Sequence, residues 1–148
     1  MSILLAMGDA KTDALGKVPL FSHCTRKDLE FVASRADEVN VPAGRELVRQ
    51  GRQGDTFYVL LEGEADVEVD GKQRPTLQTG DFFGEISMLD RGPATATVVT
   101  RTPARLMVMS HSQFRDAIKG SDDLLLQVMV AVGERLRADS LARQAAET

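Results

Sequence analysis

The feature that most narrows the fold is a series of short period-two segments set between turn residues, from residue 39 to residue 108. Ala65, Val67 and Val69 alternate with Glu64, Asp66, Glu68 and Asp70, the pattern of a strand with one face in a core and one in water. Asp70-Gly71 follows, a dipeptide that tolerates the positive φ angles of a two-residue hairpin. Upstream, Phe57, Val59 and Leu61 alternate with Tyr58 and Leu60 between Gly54 and Gly63. An apolar run of that length between glycines predicts a strand buried on both sides. Turn residues recur at Pro42-Ala43-Gly44, at 51–55, and at Thr79-Gly80-Asp81, Arg91-Gly92-Pro93 and Thr102-Pro103. Short strands at this spacing predict a mainly β fold, an antiparallel jelly roll or β-barrel of about eight strands.

Helices flank this core. Thr25 and Asp28 form a capping-box pattern with Asp in place of Glu, and Leu29, Val32, Ala33 and Ala36 then fall at helical spacing. The spacing predicts an amphipathic helix from Arg26 to about Ala36. After Val108, Ser110 or Ser112 is placed to cap a short helix through Phe114 and Ile118 that Gly120 would end. Ser121 or Asp122 would cap a longer one, with Leu125, Val128, Met129, Val132 and Leu136 as its apolar stripe. The polar, Ala-rich tail from 138 to 148 either continues that helix or frays. The expected organisation is one domain over 1–148, with a helical leading segment at about 11–38, a barrel at about 39–110 and C-terminal helices at about 112–145.

Composition bounds the function. The 148 residues are 43% apolar and 27% charged, the mix of one soluble globular domain. Eighteen Lys and Arg against 22 Asp and Glu give a net charge of −4, which argues against binding nucleic acid by neutralising phosphates. The apolar run Ile3-Leu4-Leu5-Ala6-Met7 is too short for a bilayer and lacks the basic start of a signal peptide. A cytoplasmic setting without membrane contact is expected. Cys24, the single cysteine, supports neither an internal disulfide nor a thiolate metal site. His23 and His111 lie one before and one after the barrel, too few for a barrel metal centre and better read as surface or packing residues. Neither Ser87 nor Cys24 has a base at hand, so no enzyme is expected. Met88, Met107 and Met109 read as core filler.

The most specific chemistry lies in residues 80–98. A glycine-flanked loop leads into Glu85-Ile86-Ser87-Met88-Leu89-Asp90, then a Gly92-Pro93 turn, then Ala94-Thr95-Ala96-Thr97-Val98. One reading is an elaborate connection between two strands with a single helical turn. The other is anion capture. A helix start offers unpaired N–H groups and the positive end of its dipole, Gly84 allows close backbone approach, and Ser87 adds a hydroxyl. Glu85 repels a phosphate but suits a neighbouring hydroxyl on the same ligand, and a phosphorylated ribose meets both demands.

Phe83-Gly84-Glu85-Ile86-Ser87-Met88-Leu89, a short loop, then Pro93-Ala94-Thr95-Ala96-Thr97-Val98 resembles the phosphate-binding cassette of the cyclic nucleotide-binding domain family. That family includes the regulatory subunits of protein kinase A, the catabolite activator protein and nucleotide-gated channels. The resemblance spans nearly the whole chain. Val18-Pro19-Leu20-Phe21, Val41-Pro42-Ala43-Gly44, residues 51–55, Leu61-Glu62-Gly63 and Gln113-Phe114 match in order. It implies a nucleotide ligand, cyclic AMP or cyclic GMP, and no other cofactor. Phe83, Gly84, Glu85, Ile86 and Ser87 would face that ligand, with Glu85 taking the ribose 2′-hydroxyl. Thr95 sits where some members use threonine for the guanine form, and Ala96 would offer its N–H to the phosphate. Arg135, on the last helix, is the nearest candidate to stack on the base. Gly133 in the same helix costs about 1 kcal/mol against alanine and would mark close packing or a hinge.

One departure stands out. The family's phosphate-binding arginine falls at 94, and this chain has Ala94. Losing a charged hydrogen bond costs about 1.5–3 kcal/mol, roughly ten- to over a hundredfold in affinity. Arg91 is the candidate substitute, at most about 10 Å of extended chain away. Arg91, Arg135, Arg137 and Arg143 otherwise read as solvated surface. With the chain ending at Thr148, no DNA-binding element is expected, and output would pass through a domain surface such as the final helix to an unknown protein partner or a second copy in a homodimer. Two functions follow: a cyclic nucleotide-binding regulatory module, or a degenerate member kept for protein interaction or an altered ligand.

Overall fold

The computed structural model describes residues 3–147. Helix α1 (Ile3–Gly16), a 3-10 turn (Pro19–Phe21) and α2 (Arg26–Arg35) lead into eight strands. These are β1 (Asp37–Val41), β2 (Glu46–Val48), β3 (Thr56–Glu62), β4 (Ala65–Val69), β5 (Lys72–Leu77), β6 (Phe82–Phe83), β7 (Thr97–Thr100) and β8 (Ala104–Ser110). A short helix α3 (Glu85–Asp90) sits between β6 and β7, and α4 (His111–Lys119) and α5 (Asp122–Glu147) follow β8.

The strands form two four-stranded sheets, ordered β1-β8-β3-β6 and β2-β7-β4-β5, and every pairing is antiparallel. This is the expected jelly roll. Asp70 and Gly71 take φ of 53° and 78°, the two positive angles that close the β4–β5 hairpin. As the alternation predicts, β3 is buried on both faces. Phe57, Val59 and Leu61 pack with Phe21, Val32, Met107, Met109 and Phe114 under the helices, while Leu60 packs with Leu106 and Ala104 on the other side. Ala65, Phe83 and Val98 form a third apolar group with Val48 and Val67. Met88, Met107 and Met109 are all buried.

Helix termini follow from local chemistry. The Asp28 N–H donates to Thr25 Oγ1 at 3.1 Å and the Thr25 N–H to Asp28 Oδ2 at 3.4 Å, a capping box that satisfies two first-turn donors. Of the two candidate serines, Ser110 is the cap, with Gln113 as its reciprocal partner, and Ser112 lies inside α4. Ser121 caps α5 by accepting the Leu124 N–H at 3.1 Å. The tail is a continuation of α5, which runs to Glu147.

Three expectations are corrected. α1 begins well ahead of residue 11, and its Leu15 joins the core. The buried face of α5 is Leu124 and Val128, with Ala131 and Val132 packed beside them. Leu125, Met129 and Leu136 of the expected stripe are exposed. A choice of face displaced by one residue turns a helix by about 100°, and the sequence is apolar enough on both faces to support either. A Cβ at Gly133 would meet nothing within 4 Å, so close packing does not explain that glycine. Among the described residues no helix is long and apolar enough to cross a membrane.

Candidate functional site

β6 carries Phe82 and Phe83 against Tyr58 and Val59 of β3, and the Phe83 ring stacks on Tyr58 at 4.7 Å between centroids. The Tyr58 hydroxyl donates to the Leu47 carbonyl at 3.2 Å, and burial pushes its pKa above the ordinary phenol value. After Phe83 the chain must reverse sharply. Gly84 does this at φ 89°, a left-handed angle that favours glycine, in a space where a Cβ would stand 2.5 Å from the Thr56 carbonyl oxygen. α3 begins at once. Glu85 and Ser87 turn inward, at 3% and 4% exposure, and Met88 enters the core. The N–H groups of Ile86 and Ser87 belong to a first turn that has no intrahelical acceptors for them.

A second loop lies alongside. The Gly51 N–H donates to the Ala94 carbonyl at 2.9 Å, and the Ala94 N–H donates to the Arg52 carbonyl at 2.7 Å. Gln53 and Pro93 form a β-bridge, and Gln50 N–H reaches Thr97 Oγ1 at 3.0 Å. Segments 50–54 and 93–97 are therefore one knitted wall. Gly54 presses so closely on Ser87 that a side chain at 54 would collide with it.

These walls enclose a cavity of about 640 Å³. Phe83, Gly84, Glu85, Ile86 and Ser87 line one side, and Ala94, Thr95 and Ala96 continue it. Leu47, Tyr58, Val67 and Leu77 supply an apolar side from the strands. Arg135 reaches in from α5. It lies on the buried face that carries Leu124, Val128 and Ala131, at i+11, i+7 and i+4 spacing, and so points where they point. Its guanidinium pairs with the Glu85 carboxylate and donates to the Phe82 carbonyl. It also stands 4.2 Å from the Phe82 ring centroid, a cation–π contact.

Of the ten residues singled out in the sequence, nine line this cavity. The tenth, Arg91, does not. It ends α3 at φ 59° and borders a separate cavity of about 340 Å³ between α3 and α4, with Met88, His111, Phe114 and Arg115. The reason is the turn itself: the Gly92 N–H binds Asp90 Oδ1 at 2.7 Å, and the chain leaves α3 with Arg91 on the outer side. There, partial burial and the guanidiniums of Arg91 and Arg115 hold the His111 pKa below the ordinary imidazole value. Sequence reasoning missed Arg49, Arg52 and Gly54, which line the main cavity. Residues 51–55 read only as a turn, and no local pattern shows that the turn lies against residue 94. The Arg137 guanidinium belongs to an exposed residue of α5, and the Arg143 side chain lies outside the described residues.

Comparison with known proteins agrees with this geometry. The family model described as "Cyclic nucleotide-binding domain" matches residues 38–121, more than half of the chain. The chain therefore belongs to the cyclic nucleotide-binding domain family. A cAMP-dependent protein kinase regulatory subunit of Aspergillus niger is 31% identical over 113 residues, 75% of this chain but 28% of that protein. A second, from Emericella nidulans, is covered over 25% of its length, so the chain spans about a quarter of the curated relatives it matches. Among solved structures, the Thermus thermophilus catabolite activator protein superposes with a TM-score of 0.79 at 22% identity, covering 87% of this chain and 63% of the other. The regulatory domain of Toxoplasma gondii PKA, solved with cAMP, gives 0.72 at 21%, covering 97% and 51%. At those identities the two structures establish the jelly-roll fold.

Proposed function

We propose that this domain is a cyclic nucleotide-binding regulatory module without catalytic activity, a cytoplasmic sensor of cyclic AMP or cyclic GMP that acts on a protein partner. The observation that carries the reading is the buried Glu85 carboxylate on the wall of a nucleotide-sized cavity, one residue after the left-handed Gly84. The likeness to regulatory subunits named for cAMP supports it. Glu85 accepts from the ribose 2′-hydroxyl, while the N–H groups of Ile86, Ser87 and Ala96 and the Ser87 hydroxyl meet the phosphate. Tyr58, Val67 and Leu77 cover the apolar parts. Because Arg135 already holds Glu85, a bound ribose shares or displaces that contact. α5 then repacks and the population of its outer surface changes. That surface carries the exposed side chains of Leu126, Met129, Val130 and Leu136, through which a partner or a second copy is engaged.

Two observations favour the degenerate reading as the second. Ala94 brings no charge to the cavity, and Arg135 occupies the carboxylate the ribose needs. Isothermal titration with cyclic AMP and cyclic GMP separates the two. The sensor reading expects measurable binding by the unaltered chain, weakened about 10- to 100-fold in Glu85→Gln and unchanged in Arg91→Ala. Binding by Ala94→Arg alone would establish the degenerate reading instead.

A further inference from the structure

Among the described residues three arginines line the main cavity, and they are not equivalent. Arg135 pairs with Glu85. Arg49 Nε is 2.7 Å from Glu46 Oε1. Among the described residues no carboxylate stands within ion-pair distance of Arg52. The remaining acid on the cavity wall, Asp55, accepts the Thr56 hydroxyl at 3.1 Å. Among the described residues Arg52 is thus the cation of this cavity whose charge is not already matched by a carboxylate.

Its position is fixed by backbone rather than by its own flexible stem. The Arg52 carbonyl accepts the Ala94 N–H at 2.7 Å, and the flanking Gly51 N–H returns a bond to the Ala94 carbonyl at 2.9 Å. The Gln53–Pro93 bridge holds the same register one residue on. A side chain leaving the backbone at 52 therefore starts one loop-to-loop hydrogen bond away from the side chain at 94. Ala94 is buried and contributes only a methyl group. An arginine stem spans several ångströms, and its fork of N–H donors matches an anionic phosphodiester.

Resting on the cyclic nucleotide reading, we infer that Arg52 is the specificity residue for the ligand's phosphate, supplying from the β2–β3 loop the positive charge that position 94 does not. The ligand class that follows is a monoanionic nucleotide phosphodiester in preference to an uncharged nucleoside. Arg52 is exposed and makes no side-chain bond that the fold needs, so replacing it leaves the wall standing.

The test is an equilibrium titration of the whole chain with cyclic AMP, cyclic GMP and adenosine. It is run on the unaltered protein, Arg52→Gln, Arg52→Lys and the double variant Arg52→Gln with Ala94→Arg, with folding of each checked by circular dichroism. Arg52→Gln should lose about 10- to 100-fold in cyclic nucleotide affinity and nothing toward adenosine. Arg52→Lys should lose less, and the double variant should recover. Undiminished cyclic nucleotide binding by Arg52→Gln overturns the assignment of Arg52 while leaving the cyclic nucleotide reading intact. If the unaltered protein binds adenosine as tightly as cyclic AMP, the assignment is likewise overturned. Failure of the unaltered protein to bind any of the three removes both.

Discussion

A carboxylate taken out of water needs donors, and Glu85 finds one in Arg135 from a helix fifty residues on. Removing the guanidinium leaves a buried charge with less compensation. Because the Arg135 side chain is 39% exposed, water softens the loss, and Arg135→Met should lower stability by about 1–3 kcal/mol, read as a lower urea midpoint. An unchanged midpoint would mean the pair contributes nothing. Gly84→Ala should be worse, since it combines a left-handed φ with a collision against the Thr56 carbonyl and would cost more than about 2 kcal/mol. The neighbouring cavity gives a separate check on Arg91. Since the folded pKa of His111 lies below that of the unfolded chain, the unfolded state binds more protons just below pH 6.5. The His111 contribution to stability is therefore present above that pH and lost as pH falls through it. An NMR titration should place His111 below free imidazole, and Arg91→Gln should raise it. No response to Arg91→Gln would contradict the outward placement of Arg91.

At the scale of elements, the sequence was most legible where chemistry is local. The Glu64-to-Asp70 alternation, the Asp70-Gly71 turn and the capping pattern at Thr25 each need only neighbours along the chain, and each predicts what is found. Thr25→Ala and Ser110→Ala should each cost about 1 kcal/mol in thermal or urea unfolding, and a cost near zero would show that those helix starts are held by packing alone. The motif around Gly84 was legible for the same reason, because a reversal followed by a helix start is written in consecutive residues. The face of α5 was not. Leu124, Leu125, Leu126, Val128, Met129 and Val130 offer apolar stripes on several sides, and only the core beneath Phe21 and Val32 selects the one with Leu124 and Val128. The pairing of Arg52 with Ala94 was equally out of reach, since two loops more than forty residues apart meet through backbone hydrogen bonds that carry no residue signature.

On the scale of the molecule, the two sheets hold the cavity and the helices hold one of its walls. Arg135 ties α5 to Glu85 of α3 and to Phe82 of β6, so under the proposed function a ligand that competes for Glu85 would act on α5 and on the apolar side chains it exposes. Whether the cavity is a ligand site is measured most directly by a ¹H–¹⁵N spectrum of the labelled chain recorded while cyclic AMP is added. The largest amide shifts should fall at Gly84, Glu85, Ile86, Ser87, Thr95 and Ala96, with smaller ones along α5 around Arg135. A spectrum that does not move at millimolar nucleotide, or that moves only around His111 and Arg115, would contradict a ligand site in the cavity.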